Sequence, residues 1–289
     1  MLNKHRGEFY LVMGAIFFSM NGVIVTLVLD HMTTFRLAQI RAIGTFFLLF
    51  AFTFIQDRNS LKAQRREIPT LVFYGIFGYA MVQLGYFIGI AQGVPLSLVL
   101  IIEFTAAIWI TLWVRFVRKQ YVPRTMWAAV FLAIAGLALI AQIWKGLIFD
   151  TWGVIAAFLD AFALTAYFLL GEKWGKRAAT ETLMLYGFGI SMLFWWLVLP
   201  IWSYPFEIFT QKIDWRGQLE GHMTTGLVLI LLVIAVGTLI PYTFNLIGVT
   251  NTNASTAAIM GTLEPVLAGV FAWIWLSETF NLIQLIGAA

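Results

Sequence analysis

The sequence predicts an all-α polytopic membrane protein, with ten transmembrane helices arranged as two inverted five-helix repeats. Composition is the first observation behind this prediction. Of the 289 residues, 61% are apolar and 11% are charged, whereas soluble globular proteins carry about 25% charged residues. The mean hydropathy is +0.88. Such a chain has too few polar side chains to cover a water-facing surface, which excludes a soluble enzyme.

Apolar segments along the chain are the second observation. Each of the first nine is long enough for a spanning helix, which needs about 20 apolar residues. Together the segments leave no room for a separate soluble domain. The last has 11 residues and covers about half of a ~30 Å hydrocarbon core, so we expect the tenth helix to be incomplete. The segments are 8–29, 33–55, 68–91, 94–116, 123–144, 150–172, 180–203, 222–249, 252–276 and 279–289.

The distribution of basic residues predicts the orientation of the helices. Thirteen of the 18 Lys and Arg residues fall in loops on one side and three on the other, and two lie inside the second segment. Basic loops stay in the cytoplasm, so we expect both termini on the cytoplasmic side of a bacterial inner membrane. This sorting explains the net charge of +4 without nucleic-acid binding. The longest outer loop, about 203–221, is predicted to rest on the headgroups, with a lid as the alternative.

Internal similarity is the third observation. An offset of 159 aligns Gly78 and Tyr79 with Gly237 and Thr238, and an offset of 161 aligns the fourth segment with the ninth. The two halves are then 1–146 and 147–289. Five spans per half is an odd number, so the second half must cross the membrane in the opposite sense. Inverted repeats of this kind are typical of transporters, with the substrate site near the midplane.

The chain resembles the drug/metabolite transporter superfamily, in its ten-helix branch of bacterial metabolite and amino-acid exporters. The resemblance rests on Arg41 in the second segment, on Glu264-Pro265 in the ninth, and on Glu278 before the tenth. Phe104 occupies the position that matches Pro265. Within the superfamily the chain is most similar to the aromatic amino-acid exporters. The resemblance implies an exporter of small molecules.

Four ionisable residues are predicted inside the membrane: Arg41, Glu103, Asp160 and Glu264. Charges at this depth are costly and face the bundle interior or a water-filled cavity. The two glutamates either bind a substrate ammonium or carry a proton, or they are structural and hydrogen-bond to backbone that a helix break has freed. For Arg41 we favour a structural role as the partner of a carboxylate. Asp160 is either that partner or part of the pathway.

Polar and aromatic side chains repeat at i, i+4 and i+7 on the third and eighth segments and predict the walls of a substrate cavity. The first and sixth segments add weaker candidates. The predicted cavity residues are Tyr79, Gln83, Tyr86, Glu103, Asp160, Thr238, Tyr242, Asn245 and Glu264, with Ser19, Asn21, Thr165 and Tyr167 as the weaker ones.

Prolines and glycines suggest how the helices pack and move. Pro95, Pro241 and Pro265 are candidate hinges, because proline removes a helical hydrogen bond. Gly85 and Gly89 belong to a double GxxxG pattern, which we interpret as packing within the chain. A monomer is therefore expected, with a homodimer as the alternative.

A secondary transporter is the predicted function, exporting amino acids (aromatic and other neutral ones) or similar small metabolites by alternating access. Its partners are then a small-molecule substrate and membrane lipid. With no cysteine and three histidines, the sequence predicts no metal or cofactor site. A membrane-embedded enzyme is disfavoured because no HExxH motif occurs. A channel or an exporter of drugs or other metabolites is the alternative.

Overall fold

The computed structural model describes residues 2–56, 67–94, 96–142, 144, 150–277 and 279–288. This part of the chain is almost entirely helical, which confirms the predicted class. We number the helices by the span to which they belong. They are α1 (Leu2–Leu29), α2 (Thr34–Gln56), α3 (Ile68–Ala91), α4 (Leu96–Phe104, Ala106–Leu112 and Trp113–Val117), α5 (Arg124–Ala141), α6 (Thr151–Trp174), α7 (Thr180–Val198), α8 (Gly226–Asn251), α9 (Ala254–Gly261 and Leu263–Leu276) and α10 (Leu282–Ala288).

Nine helices in the described ranges are long and apolar enough to cross a membrane, and these are α1 to α9. Helix α10 has seven residues, about 10 Å at 1.5 Å per residue. Most predicted span limits fall within a few residues of the observed ones. Helix α7 ends at Val198, before the predicted limit, because the next residue but one is Pro200. A residue that precedes proline is driven out of the helical region, and Leu199 is extended, with φ −127° and ψ 110°.

Helices α3 and α8 each contain a π-helical segment at equivalent positions. These segments are Ile76–Ala80 in α3 and Ala235–Leu239 in α8, and they are separated by the same offset of 159 that relates the two sequences. A π segment inserts extra backbone into the helical turn and is frequent at functional sites. A third one, Trp113–Val117, ends α4.

The helix–helix contacts made by α1–α5 are repeated by the equivalent helices α6–α10. The first helix of each half packs against the third and fourth helices of the opposite half: α1 on α8 and α9, and α6 on α3 and α4. The two second helices, α2 and α7, pack together, and so do the two fifth helices, α5 and α10. The two halves therefore interlock through matching faces.

Glycines set the closest of these approaches. A Cβ at Gly85 of α3 would lie 2.7 Å from the Ala156 carbonyl oxygen and 2.9 Å from the Asp160 nitrogen of α6. Gly136 of α5 and Gly287 of α10 approach each other in the same way. A Cβ at Gly136 would lie 2.5 Å from the Gly287 carbonyl oxygen, and a Cβ at Gly287 would lie 2.6 Å from the Gly136 carbonyl oxygen. The GxxxG pattern of α3 therefore packs within the chain, as the sequence predicts.

The connection between α7 and α8 is folded, which the sequence did not indicate. It contains the short helices Ile201–Ser203, Phe206–Phe209 and Gly217–Leu219 and an antiparallel pair of strands, β1 (Lys212–Asp214) and β2 (Met223–Thr225). Helix α8 begins at Gly226, later than predicted, because the residues before it belong to β2. We call residues 199–225 the α7–α8 loop.

Asp214 holds the turn of this loop. Its carboxylate accepts hydrogen bonds from the backbone nitrogens of Arg216 and Gly221, at 2.7 and 2.8 Å. These two bonds favour the ionised form and hold the pKa of Asp214 below its usual range. The turn is therefore built on a charged side chain at neutral pH.

Replacing Gly85 by Ala tests the contact between α3 and α6. The added methyl group meets the α6 backbone, and we expect it to lower the free energy of unfolding by about 1–3 kcal/mol. Gly22→Ala in α1 is the matched control, because no atom lies within 4 Å of a Cβ there. Denaturation in mixed micelles measures both variants. Equal free energies of unfolding for the two variants contradict the contact.

Candidate functional site

A polar cavity lies where the two halves meet. Its volume is about 160 Å³, smaller than the roughly 300–1,000 Å³ of sites for drug-sized ligands. Residues from seven helices surround it. They are Phe18, Asn21, Gly22 and Val25 of α1, Arg41 of α2, Val82, Gln83, Tyr86 and Phe87 of α3, Leu100, Glu103 and Phe104 of α4, Leu164, Tyr167 and Phe168 of α6, Tyr242 and Asn245 of α8, and Gly261 and Glu264 of α9.

Six of the nine predicted cavity residues line this space: Gln83, Tyr86, Glu103, Tyr242, Asn245 and Glu264. Asn21 and Tyr167, from the weaker candidates, line it as well. Tyr79, Asp160 and Thr238 do not, and Ser19 lies beside it. Ser19 donates a hydrogen bond of 2.8 Å to the backbone carbonyl of Glu264. Thr165 donates to the Ala161 carbonyl of its own helix.

The π segments explain why Tyr79 and Thr238 leave the wall. Both residues lie inside a π segment, at equivalent positions of α3 and α8. The wider turn changes the helical phase, so the i, i+4, i+7 spacing no longer places all three residues of a stripe on one face. Both side chains are buried, with no exposed surface. Sequence spacing assumes a regular α-helix and does not detect this change.

An aromatic cluster backs the cavity. The ring of Tyr242 lies 5.1 Å from Phe18 and 5.4 Å from Tyr79, measured between centroids. Tyr79 in turn lies 4.7 Å from Phe188 and 5.5 Å from Tyr167. Edge-to-face and tilted pairs at these distances are favourable. They give the cavity a packed aromatic wall, of which Phe18, Tyr167 and Tyr242 line the space.

Arg41 joins α2 to the π segment of α8. Its Nε donates to Thr238 Oγ1 at 2.9 Å, and its Nη2 donates to the Gly237 carbonyl at 3.2 Å. That carbonyl is four residues before Pro241, which has no N–H to give it. Thr238 Oγ1 also donates to the Val233 carbonyl at 2.9 Å. Arg41 therefore replaces a helical hydrogen bond that proline has removed.

A carboxylate partner for Arg41 was the expectation from sequence. Within the described residues, Arg41 forms no ion pair, and its hydrogen bonds go to a hydroxyl and a carbonyl. Glu264 is near enough to interact with Arg41 electrostatically. Arg41 therefore lines the same cavity as Glu103 and Glu264 without pairing with either of them.

The three carboxylates predicted inside the membrane differ in their surroundings. Glu103 and Glu264 are half-buried and line the cavity, and neither side chain has a hydrogen-bond partner among the described residues. Asp160 is fully buried behind the wall, where α6 approaches Gly85. Both of its carboxylate oxygens also lack a protein partner in the described part of the chain. The two glutamates are thus the carboxylates available to a solute.

Helices α4 and α9 are each interrupted at one threonine. Thr105 has φ −59° and ψ −13°, and Thr262 has φ −66° and ψ −8°. The hydroxyl of each donates to a carbonyl three residues earlier, of Ile102 and of Ile259. The interruption in α4 arises without proline, so the Phe104 position gave no indication of it. Threonine bonded back to its own helix often bends it.

The interruptions place the two glutamates at the bends. Glu103 lies two residues before Thr105, and Glu264 lies two residues after Thr262. Of the predicted hinges, Pro265 follows Glu264 in α9, and Pro241 lies just after the π segment of α8. Pro95 lies outside the described residues.

The apolar residues of the cavity lining, such as Leu100 and Phe168, were not predicted from the sequence, because their pattern is the same as that of a helix core.

The sequence model of the EamA-like transporter family matches residues 5–142 and 151–289, so it matches the chain twice. The matched relatives include an uncharacterized transporter, YdfC, of Bacillus subtilis, 27% identical over 267 residues, which cover 89% of this chain and 78% of the relative. An uncharacterized transporter of Archaeoglobus fulgidus is 24% identical over 273 residues, 92% of this chain and 87% of the relative.

The threonine/homoserine exporter RhtA of Escherichia coli is also similar. It is 26% identical over 246 residues, which cover 85% of this chain and 74% of the exporter. Among solved structures, one crystal structure matches with a TM-score of 0.76 and 14% sequence identity, over 98% of this chain and 93% of that chain. At this identity the match supports the fold alone.

Removing the Thr238 hydroxyl tests the support of Arg41. In Thr238→Val the Nε of Arg41 loses its acceptor, and we expect the free energy of unfolding to fall by about 1–3 kcal/mol. Thr243→Val in the same helix is the control, because Thr243 Oγ1 bonds only within α8 and to a neighbouring sulfur. The same micelle denaturation compares them. If Thr238→Val costs no more than Thr243→Val, the guanidinium does not depend on this bond.

Proposed function

This chain belongs to the EamA-like transporter family, and we propose that it is a secondary transporter that exports amino acids or similar small metabolites across the bacterial inner membrane. The central observation is the cavity between the two halves, which combines two available carboxylates, a guanidinium and aromatic walls in about 160 Å³. Sites of mixed apolar and convergent polar groups are typical of small-molecule binding.

The chemistry of the lining fits an amino acid. The carboxylates of Glu103 and Glu264 suit an ammonium group, and the guanidinium of Arg41 suits a carboxylate. The aromatic rings of Tyr86 and Tyr242 offer faces for an uncharged side chain, aromatic ones included. The similarity to a threonine/homoserine exporter supports amino acids as the substrate class. The small volume supports a small solute over a drug-sized one.

Alternating access is the proposed mechanism. Each half contains five helices, and we propose that the second crosses the membrane in the opposite sense. Helix α1 packs on α8 and α9 of the second half, and α6 packs on α3 and α4 of the first half. This reciprocal packing supports the inverted relation. In such transporters the halves rock around a fixed central site. The site must then be closed by contacts at each end.

At the proposed cytoplasmic end, Glu172 of α6 joins three elements. Its Oε2 lies 2.8 Å from Arg118 Nη1, just after α4, and 3.3 Å from the backbone nitrogen of Ala254, the first residue of α9. Lys176 Nζ lies 3.7 Å from its other oxygen. The side chains of Arg118 and Glu172 are 26% and 12% exposed, so salt screens this pair less than it screens a surface pair, whereas the side chain of Lys176 is 57% exposed. We call this set of contacts the inner latch.

At the opposite end, the α7–α8 loop joins the ends of α1 and α9. Arg216 forms an ion pair with Asp30, just after α1. Trp215 stacks on Trp275 near the end of α9, with ring centroids 5.4 Å apart, and its carbonyl accepts from Trp275 Nε1 at 3.1 Å. We call these contacts the outer latch. Helices α1 and α6 are equivalent, as are α4 and α9, so the two latches occupy equivalent places.

Neutralising the cavity glutamates tests the site. In proteoliposomes we expect saturable counterflow of labelled threonine, with a panel of unlabelled amino acids defining the specificity. Glu103→Gln and Glu264→Gln remove the charge that attracts the ammonium, and each should lower the rate at limiting substrate by about tenfold or more, equivalent to ~1.4 kcal/mol. Glu207→Gln, in the exposed part of the α7–α8 loop, is the matched control and should retain activity.

Other results of this assay separate the alternatives. Flux that does not saturate with concentration indicates a channel. Flux of larger drugs that amino acids do not inhibit indicates a drug exporter. No flux of any small solute contradicts the transport proposal itself, and unchanged rates in both glutamine variants contradict the assignment of the glutamates.

Opening of the latches is measured by thiol labelling, because the chain contains no cysteine. Gly22→Cys places one thiol on the cavity wall, where a Cβ meets no atom within 4 Å. Adding Glu172→Gln should raise labelling by a membrane-impermeant maleimide from the cytoplasmic side about fivefold or more. Adding Asp30→Asn to Gly22→Cys should instead raise maleimide labelling from the opposite side of the membrane. Labelling that changes equally from both sides, or in neither variant, contradicts the assigned latches.

A further inference from the structure

A second cavity, separate from the central one, lies where α4 and α6 end on the side of the basic loops. Its volume is about 550 Å³. One part of its lining is basic and comprises Arg118, Lys173, Lys176 and Arg177. The other part is apolar and includes Trp113 and Leu169. We call it the α4–α6 cavity.

The lining of this cavity contains four basic residues and one acidic residue, Glu172. Glu172 is the carboxylate of this lining, and it is already bound by Arg118 and Lys176, at 2.8 and 3.7 Å. Lys173 and Arg177 have no acidic partner in the described part of the chain. They flank the ring of Trp174 instead, with Lys173 Nζ at 5.9 Å and Arg177 Cζ at 5.5 Å from its centroid. The cavity therefore presents at least two uncompensated cations.

The apolar part adjoins these charges directly. Leu169 lies one helical turn before Lys173, about 6 Å along α6 at 1.5 Å per residue. Trp113 of α4 lines the same cavity and is 46% exposed, which is typical of an aromatic residue at the membrane interface. The charged groups thus lie at the edge of the hydrocarbon region, with an apolar surface on their membrane side.

We propose that the α4–α6 cavity binds an anionic phospholipid, with its phosphate on Lys173 and Arg177 and an acyl chain along Trp113 and Leu169. Charge complementarity and the adjoining apolar wall both favour this ligand. A soluble phosphate satisfies the cations alone and makes no use of the apolar surface. Basic pockets between helices at the cytoplasmic side bind anionic headgroups in membrane proteins generally.

The cavity shares Arg118 and Glu172 with the inner latch. A bound phosphate adds negative charge beside this pair and holds the surrounding cations in place. Lipid occupancy is therefore placed to affect the closing of the cytoplasmic end. The binding proposal itself depends on the α4–α6 lining alone and not on which solute the chain transports.

Lipid retention by the full-length chain tests the proposal. The protein is placed in phosphatidylcholine nanodiscs with a rising fraction of phosphatidylglycerol, released, and examined by native mass spectrometry. We expect one phosphatidylglycerol to be retained in preference to phosphatidylcholine. Lys173→Gln with Arg177→Gln should lower its retention about fivefold or more. Lys119→Gln with Arg124→Gln removes two cations from the same side outside this cavity and is the matched control.

Three outcomes overturn the proposal. Equal loss of lipid in the test and control double variants indicates general attraction to a basic surface. Equal retention of both phospholipids in the unaltered chain indicates no preference for an anionic headgroup. Displacement of phosphatidylglycerol by millimolar inorganic phosphate indicates a site for a soluble anion. The melting temperature of each variant in phosphatidylcholine alone verifies that it is folded, and amino-acid counterflow, measured separately, keeps this result distinct from the transport proposal.

Discussion

The hydrogen bond from Arg41 to the Gly237 carbonyl illustrates the constraint on which this structure depends. Inside a bilayer every backbone polar group must find a partner within the protein. A helix can therefore depart from regular geometry only where a side chain or a neighbouring helix supplies the missing bond. Pro241 removes one donor from α8, and Arg41 of α2 provides another at 3.2 Å. The irregularity of α8 and the buried charge of α2 thus stabilise each other.

The interruptions of α4 and α9 follow the same rule and border the same cavity. Thr105 and Thr262 bond back to their own helices at the interruptions of α4 and α9, and Ser19 of α1 reaches the Glu264 carbonyl across a helix interface. Each of these departures from the α-helix needs such a partner, and these departures occur beside the polar side chains that line the cavity. The bends then direct Glu103 and Glu264 toward it.

The fold was predictable because the bilayer imposes a simple length and polarity rule on each span. The predicted segment 33–55, for example, follows directly from this rule and lies within one residue of the observed helix Thr34–Gln56. The 159-residue offset found in the sequence also separates the two π segments, which the sequence itself does not indicate. Side-chain directions were less predictable. Tyr79 and Thr238 belong to stripes that assume 3.6 residues per turn, and a π segment breaks that assumption. The strands and short helices inside the α7–α8 loop were not predicted, because elements of three or four residues leave almost no periodic pattern.

Different interactions join the helices at the two ends of the bundle. At the basic side, a short loop after α4 brings Arg118 directly to Glu172. At the other side the end of α9 is joined to α1 through the longer α7–α8 loop, which supplies both an ion pair and a tryptophan stack. Salt weakens exposed ion pairs more than shielded ones, and the Arg216–Asp30 pair is about half exposed on each partner. The stacked tryptophans, which salt does not screen, are therefore the part of the outer latch that salt affects least. The inner latch depends on the partly shielded charges of Arg118 and Glu172.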